Sequence, residues 1–445
     1  MSRIASTGGP GLVITHGSEL VLVPEKAVVG GRMLARDNGR IVLVRGALPG
    51  ERVRVRIERV ARGVAYAVAI EILEAHADRR DPEVDPTCGG NAFAHVVYSR
   101  QLALKADIIA DALARQAHVV LPDPVSIEAS PERGYRVRAR FHLSAHRAGF
   151  YREGTHEICD AATSGQLGPG SVETVDAVVK RVVDAGADPA VITGIELAEN
   201  VAGTERALHL ELCRSLPAGT LEALDLPGGL TGLSWSSAAT PRTHVVSGTP
   251  YVVDELDGLA SGVVRLRRHV RAFFQANRYL VTALAARVLS LVPAGPVVDL
   301  YAGVGLFAAA IATGRQGRGG EVTAVEGDAT SAADLAANAA TCAVRFSTRH
   351  LPVEEFLAGA VGIDAGTMVV DPPRTGLSRA AVQGLRRHRP HRIVYVSCDI
   401  ATFARDVKTL AAEYALTHLE AFDLFPNTAH VETVAMLERR TGPAR

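Results

Sequence analysis

The sequence predicts an α/β protein whose last third forms a parallel, doubly wound sheet and whose first part forms a small antiparallel β-barrel. Two observations carry this. From about residue 271, apolar strand-like runs alternate with helical stretches, and that alternation feeds a parallel sheet with ligands at the carboxyl ends of its strands. Between residues 12 and 75, short β-branched runs are separated by turn signals instead. A chain of 445 residues is too long for one ordinary core. Three domains are expected, at 1–78, 79–270 and 271–445.

In the first of these, "ERVRVRIERV" alternates strictly. Val53, Val55 and Ile57 take one face, and Arg52, Arg54 and Arg56 take the other. This is a half-buried strand with a basic outer face. "DNG" and "LPGE" mark turns before it. The whole chain has zero formal net charge, but residues 32–62 hold nine arginines against three carboxylates. Phosphate binding depends on such local patches rather than on the total.

"HADRRDPEVDP", residues 76–86, reads as a linker, and residues 100–118 as a helix. In "RGYRVRARFHL", Tyr135, Val137, Ala139 and Phe141 alternate with Arg136, Arg138, Arg140 and His142, a second strand with a basic face. Residues 165–260 mix strand and helix signals without a chemical motif.

The last third carries the chemistry. "VVDLYAGVGLFA" ends a strand at Asp299 and turns at Gly303-Val304-Gly305. Glycines there let the backbone approach a nucleotide-like ligand, at the start of the next helix. "VTAVEGD" ends the second strand in Glu326, suited to the ribose hydroxyls of an adenosine. Ala308 stands where a third glycine would serve a pyrophosphate. S-adenosylmethionine is therefore favoured over a dinucleotide. "VVDPPRTGLS" ends a third strand in Asp371, and two prolines hold the following turn extended. Cys398, in "IVYVSCDIATFARD", follows a fourth strand and falls on the same rim. A thiolate at a helix N-terminus has a lowered pKa and is a soft nucleophile. "FPNTAHVETV" places His430 and Glu432 before an apolar run, and a carboxylate there suits a general base.

Residues 12–75 resemble the TRAM domain, an RNA-binding barrel of the OB type, through Gly30-Gly31, Ile41 to Gly46, "LPGE" and the Arg-rich strand that follows. The combination "LYAGVGLF", "DPPRTGL", "VSCDIATFARD" and "FPNTAHVET", with "GYRVRAR" and "FFQANRYLVTALAARVL", resembles the RNA (uracil-5-)-methyltransferase family. The subgroup acting on 23S ribosomal RNA is the nearest in organisation, because the familiar bacterial transfer-RNA member lacks the barrel. The resemblance implies a Rossmann-like class I methyltransferase domain behind a TRAM barrel and a central α+β RNA-binding domain. It implies Cys398 as nucleophile toward uracil C6 and Glu432 as general base. Gln275, Tyr301, Gly303, Glu326 and Asp371 fall at cofactor-binding positions. Arg52, Arg54, Arg56, Arg136 and Arg138 are expected to face RNA, with ribosomal RNA favoured and transfer RNA possible. A factor that binds RNA without catalysis is the alternative of another class, and Cys398 with Glu432 argue against it. Cytosine C5 methylation would use a Pro-Cys motif where this chain has Asp-Pro-Pro.

Three departures stand out. Many relatives hold an iron–sulfur cluster on four cysteines, two of them in "CGGC". Here the segment is "CGGN": Cys88 and Cys159 match two ligands, and Asn91 replaces a third. Two thiolates do not hold a cubane, so no cluster is expected. Ile400 stands where a proline is common, and Pro352 falls near an expected acidic residue. Five scattered cysteines and the lack of CxxC spacing favour a reducing cytoplasm over disulfides, and exclude a zinc site. No apolar run of about 18 residues predicts a spanning helix, and no apolar run follows Arg3 as in a secretory leader. A cytoplasmic monomer is expected.

Overall fold

The structure is a computed structural model, which describes residues 14–440 apart from 145–146, 215, 217–220, 222–225, 260–261, 315–319 and 360–365. Most of the stretch read for a leader lies outside the described residues.

The chain starts with six strands: β1 (Glu19–Leu22), β2 (Lys26–Ala27), β3 (Met33–Asp37), β4 (Arg40–Arg45), β5 (Arg52–Ala61) and β6 (Val64–Glu74). They form one sheet in the order β1-β5-β6-β4-β3-β2. The alternation in β5 is realised: Val53, Val55 and Ile57 are fully buried. The sheet is not wholly antiparallel as expected. The β5–β6 hairpin returns β6 beside β4 in the same direction, so those two strands pair in parallel.

Helix α1 (Tyr98–Ala112) follows and ends in a single π turn over Leu113–Ala117. Next come β7 (Ile127–Glu128), β8 (Arg138–Ser144), β9 (Arg147–Tyr151), β10 (Ile158–Asp160), α2 (Pro169–Asp184), β11 (Ile192–Glu199), β12 (Arg206–Leu212), β13 (Leu230–Ser237) and β14 (His244–Gly248). Seven of these strands make a second sheet, β10-β9-β8-β11-β12-β13-β14. The valines of α2 recur at helical spacing. Val175, Val178, Val179 and Val182 are all fully buried against this sheet. A hairpin, β15 (Tyr251–Leu259) and β16 (Gly262–His269), leads into the last part.

That part alternates as the sequence predicts: α3 (Val281–Leu291), β17 (Val297–Leu300), α4 (Leu306–Gly314), β18 (Val322–Glu326), α5 (Ala329–Thr341), β19 (Ser347–His350), α6 (Val353–Gly359), β20 (Thr367–Val370), α7 (Arg379–His388), β21 (Arg392–Ser397), α8 (Ile400–Leu410), β22 (Tyr414–Phe422) and β23 (Glu432–Arg439). The sheet order is β19-β18-β17-β20-β21-β23-β22-β7. The first five strands run parallel. β23 enters antiparallel between β21 and β22. The strand order reverses at β17, where such sheets open a crevice for ligands. β7, from far upstream, adds in parallel to the edge at β22. No described helix is long and apolar enough to cross a membrane.

Candidate active site

Pairing in register puts the ends of four parallel strands on one rim. Leu300 lies between Val325 and Val370, and Val370 lies beside Tyr395. The residues that follow these strand ends are Tyr301, Asp371 and Cys398, with Glu326 closing β18.

At the first strand end, Tyr301 takes a left-handed φ of 60°, a conformation that costs free energy outside glycine. It turns the chain so that Gly303 N donates to Glu326 Oε2 at 2.8 Å. Gly305 has a φ of 97°, which L side chains rarely adopt, and a Cβ there would also press on Leu335 Cδ1 at 2.8 Å. Just behind the turn, Asp299 is fully buried. Its Oδ2 accepts from Ala308 N at 2.9 Å, while its Oδ1 has no partner. Burial first, then the charges of Asp371 and Glu326, hold the Asp299 carboxyl well above its ordinary range. Sequence reading placed Asp299 on the strand end but gave it no role.

Asp371 accepts a hydrogen bond from Gln275 Nε2 at 3.0 Å, so two residues 96 positions apart meet. Burial raises the Asp371 carboxyl to about 7, against the opposing bond from Gln275. Cys398 comes next. Ser397 pairs with Thr433 across antiparallel strands, which puts Cys398 beside Glu432. Glu432 is 2% exposed. Its carboxyl is raised well above the usual range by burial and by Asp371, and Arg374 acts the other way.

The expected low pKa of the thiol is not what these surroundings give. Burial pushes Cys398 up to about 12, and the carboxylates of Glu432 and Asp371 add to it. The effect of a nearby helix start is outweighed by two anions in a poorly solvated site. The group acting in the other direction is Arg374, by charge and by a hydrogen bond to the thiol. Sequence reading missed Arg374 as a site residue. Its signal was the lone cation directly after Asp-Pro-Pro. Cys398 opens into a cavity of about 250 Å³ that is also lined by His430, Val431, Gly90, Glu153 and Gly30. Burial, then Arg374 and Lys105, keep His430 below its ordinary pKa.

The loop between β22 and β23 brings Glu432 to the rim, and it is held from behind by α1. Gln101, fully buried, donates from Nε2 to Asn427 Oδ1 and accepts from Asn427 N, both at 2.9 Å. Lys105 Nζ donates to Asp423 Oδ1 at 2.5 Å and to Phe425 O at 3.1 Å. Asn427 has a φ of 63°, so the loop depends on these partners for its shape. Gln101→Leu leaves the Asn427 amide without its acceptor inside the protein. The expected loss is about 2 kcal/mol of stability, read from urea denaturation, and an unchanged midpoint would contradict this account of the loop.

Residues 239–440 match the family described as tRNA (Uracil-5-)-methyltransferase, and residues 15–70 match the TRAM domain. The 23S rRNA (uracil(1939)-C(5))-methyltransferase of Halomonas elongata is 31% identical over 443 residues, covering 92% of this chain and 87% of that protein. The chain belongs to the RNA (uracil-5-)-methyltransferase family. The corresponding 23S rRNA enzyme of Pseudomonas entomophila is 30% identical, covering 98% of this chain and all of that one. Among solved structures, the Pyrococcus abyssi tRNA (uracil-54, C5)-methyltransferase in complex with S-adenosyl-L-homocysteine superposes with a TM-score of 0.75. It shares 25% identity and covers 94% of this chain and 99% of its own. As a member of this family the chain is an RNA methyltransferase, with a TRAM domain at its start and an RNA substrate.

The arginines expected to face RNA are largely engaged within the protein. In the TRAM domain, Arg52 pairs with Glu74 at 3.2 Å and Arg54 with Glu71 at 2.7 Å, while Arg56 is exposed on the same face. Arg136 donates to Gln166 and lies over the Phe150 ring at 5.8 Å. Arg138 pairs with Glu196 at 3.0 Å. None of the five lines the Cys398 cavity.

The family's cluster position differs from the expectation of free thiols. Cys88 and Cys159 form a disulfide across 71 residues. Their spacing could not reveal it, because the pairing of Cys88 with Arg152 and of Cys159 with Phe150 creates the contact. Asn91, at the third ligand position, donates to the carbonyls of Asp85 and Ser164. Among the described residues no group of three His, Cys, Asp or Glu could hold a metal. The residues present do not fit a four-thiolate cluster.

Proposed function

We propose that this enzyme methylates C5 of a uridine in 23S ribosomal RNA with S-adenosylmethionine, through a covalent bond between Cys398 and uracil C6. The observation that carries the reading is the register of β21 with β23, which sets a thiol beside a buried carboxyl, on the rim where Asp371 meets Gln275.

The Gly303–Gly305 turn, Tyr301 and Glu326 suit the nucleoside of the cofactor. A rim with three carboxylates, Asp299 with one oxygen unpartnered, suits a cation. When bound, the cofactor supplies a methyl group on a positively charged sulfur. The residues do the rest. Cys398 sulfur bonds to C6, and the electron pair of the C5–C6 double bond moves onto the C5–C4–O4 unit. C5, otherwise a poor nucleophile, then accepts the methyl. Glu432 takes the C5 proton, the C5–C6 double bond reforms, and the C6–S bond breaks to return the sulfur. Arg374 favours the thiolate by charge. The target base leaves its stack to reach the cavity, which costs a few kcal/mol and favours unpaired uridines.

Transfer RNA is the second reading, favoured by the fold likeness to the Pyrococcus enzyme over nearly the whole chain. Incubation of the purified protein with methyl-labelled cofactor and either 23S or transfer RNA decides between them. 5-Methyluridine mapped to 23S RNA is the expected result. Label only in transfer RNA transfers the assignment, and label in neither overturns it.

A further inference from the structure

The central sheet has one aromatic side chain on the wrong face for a core. Strand alternation sends Phe141 of β8 and Ala148 of β9 into the hydrophobic core, with Phe150 packed against it. Arg140, His142 and Tyr151 take the opposite face. Tyr151 is 39% exposed. His142 pairs in register with Gly149, which has no side chain. The Tyr151 ring lies stacked with the His142 imidazole instead, centroids 3.9 Å apart and 22° from parallel. His156 approaches the same tyrosine edge-on at 5.5 Å.

This face is rigidly tied to the catalytic cavity. Gly89 N donates to Tyr151 O at 2.9 Å, and Glu153 N to Thr87 O at 3.1 Å. The Cys88–Cys159 disulfide joins the same two segments. Gly90 and Glu153, each within two residues of these ties, line the cavity into which Cys398 opens. The flanking cations are already paired: Arg140 with Glu211, Arg147 with Asp160, and Arg152 with Asp85. The face therefore offers a ring rather than free charge, and its ligand is a planar group rather than a phosphate.

We propose that Tyr151, backed by His142, is a stacking platform for an unpaired base of the RNA substrate, adjacent to the uridine held over Cys398. The inference deepens the proposed function and rests on its RNA substrate. Stacking of this kind tolerates any base, since each has a π face.

The test uses the full-length protein and an RNA that it methylates. Tyr151→Ala weakens RNA affinity about 5- to 140-fold in filter binding, with the melting temperature and cofactor affinity at wild-type values. Tyr151→Phe, which keeps the ring, binds as the wild type does. At saturating RNA the turnover of Tyr151→Ala matches the wild type. The slope of log affinity against log salt is also unchanged, because no phosphate contact is lost. Wild-type affinity in Tyr151→Ala, an equal loss in Tyr151→Phe, or a reduced salt slope each overturns the platform. If the wild type methylates no RNA, the proposed function falls instead, and the platform with it.

Discussion

Cys398→Ala is expected to lower methyl transfer by on the order of 10⁴-fold or more, and to leave no protein–RNA adduct after denaturation. C5 of uracil gains nucleophilic character only once sulfur has added to C6, and no second thiol can substitute. Cys88 and Cys159 are bonded to each other, Cys213 is exposed just after β12, and Cys342 contacts Thr313 at 3.7 Å. Alanine fills most of the thiol's volume, so the melting temperature is expected to move little. The measurement is a single-turnover assay with labelled cofactor, alongside denaturing gel electrophoresis with labelled RNA. Retention of more than a tenth of the wild-type rate would end the covalent mechanism. The activity of the wild type is also expected to climb on the alkaline side of neutrality. The thiol is pushed up to about 12 and Asp371 to about 7, and both are needed ionised when the base and the cationic cofactor are bound.

Glu432→Gln is expected to have the second largest effect and a different character. Addition and methylation proceed, while removal of the C5 proton loses its base. The overall rate falls about 10²- to 10⁴-fold, and a methylated adduct accumulates that survives denaturation. That adduct separates this variant from Cys398→Ala, which forms none. The same substitution bears on stability. Burial and Asp371 raise the Glu432 carboxyl in the folded state above its unfolded value. The folded protein then binds more protons than the unfolded chain between those two values, so stability falls as pH rises through that window. Glutamine cannot ionise and avoids the cost. Glu432→Gln is therefore expected to melt above the wild type at pH 8, and to differ little from it at pH 4. A variant less stable than wild type at pH 8 would show that the ionised carboxylate is held by favourable partners, against the raised carboxyl argued here.

The legible parts of this protein were those set by local period and local chemistry. The second strand, Val322–Glu326, ends at Glu326 as read, and the strand Arg392–Ser397 ends just before Cys398 as read. The alternation in "ERVRVRIERV" fixed which side of β5 is buried. The glycines of the first turn, Asp-Pro-Pro and Cys398 marked the rim because each sits where an apolar run stops. Less was legible where the determinant was a partner. Arg52, Arg54 and Arg138 read as a basic face, but Glu74, Glu71 and Glu196 neutralise them from other strands. The valine stripe of α2 lay in a stretch that carried no motif, although its period was present to be found.

By itself the sequence determined the alternation of strands and helices in the last third, the family, and which side chains are candidates for the chemistry, since these follow from spacing and residue type along one chain. Only the tertiary structure decided what those side chains experience. Antiparallel entry of β23 beside β21 sets Glu432 against Cys398, and Gln275 reaches Asp371 from 96 residues away. Burial, and then two nearby carboxyls, raise the thiol's pKa where its own neighbours in sequence would have lowered it. The reason is physical: period and propensity act over a few residues, while desolvation and charge act through space, between groups that only folding brings together.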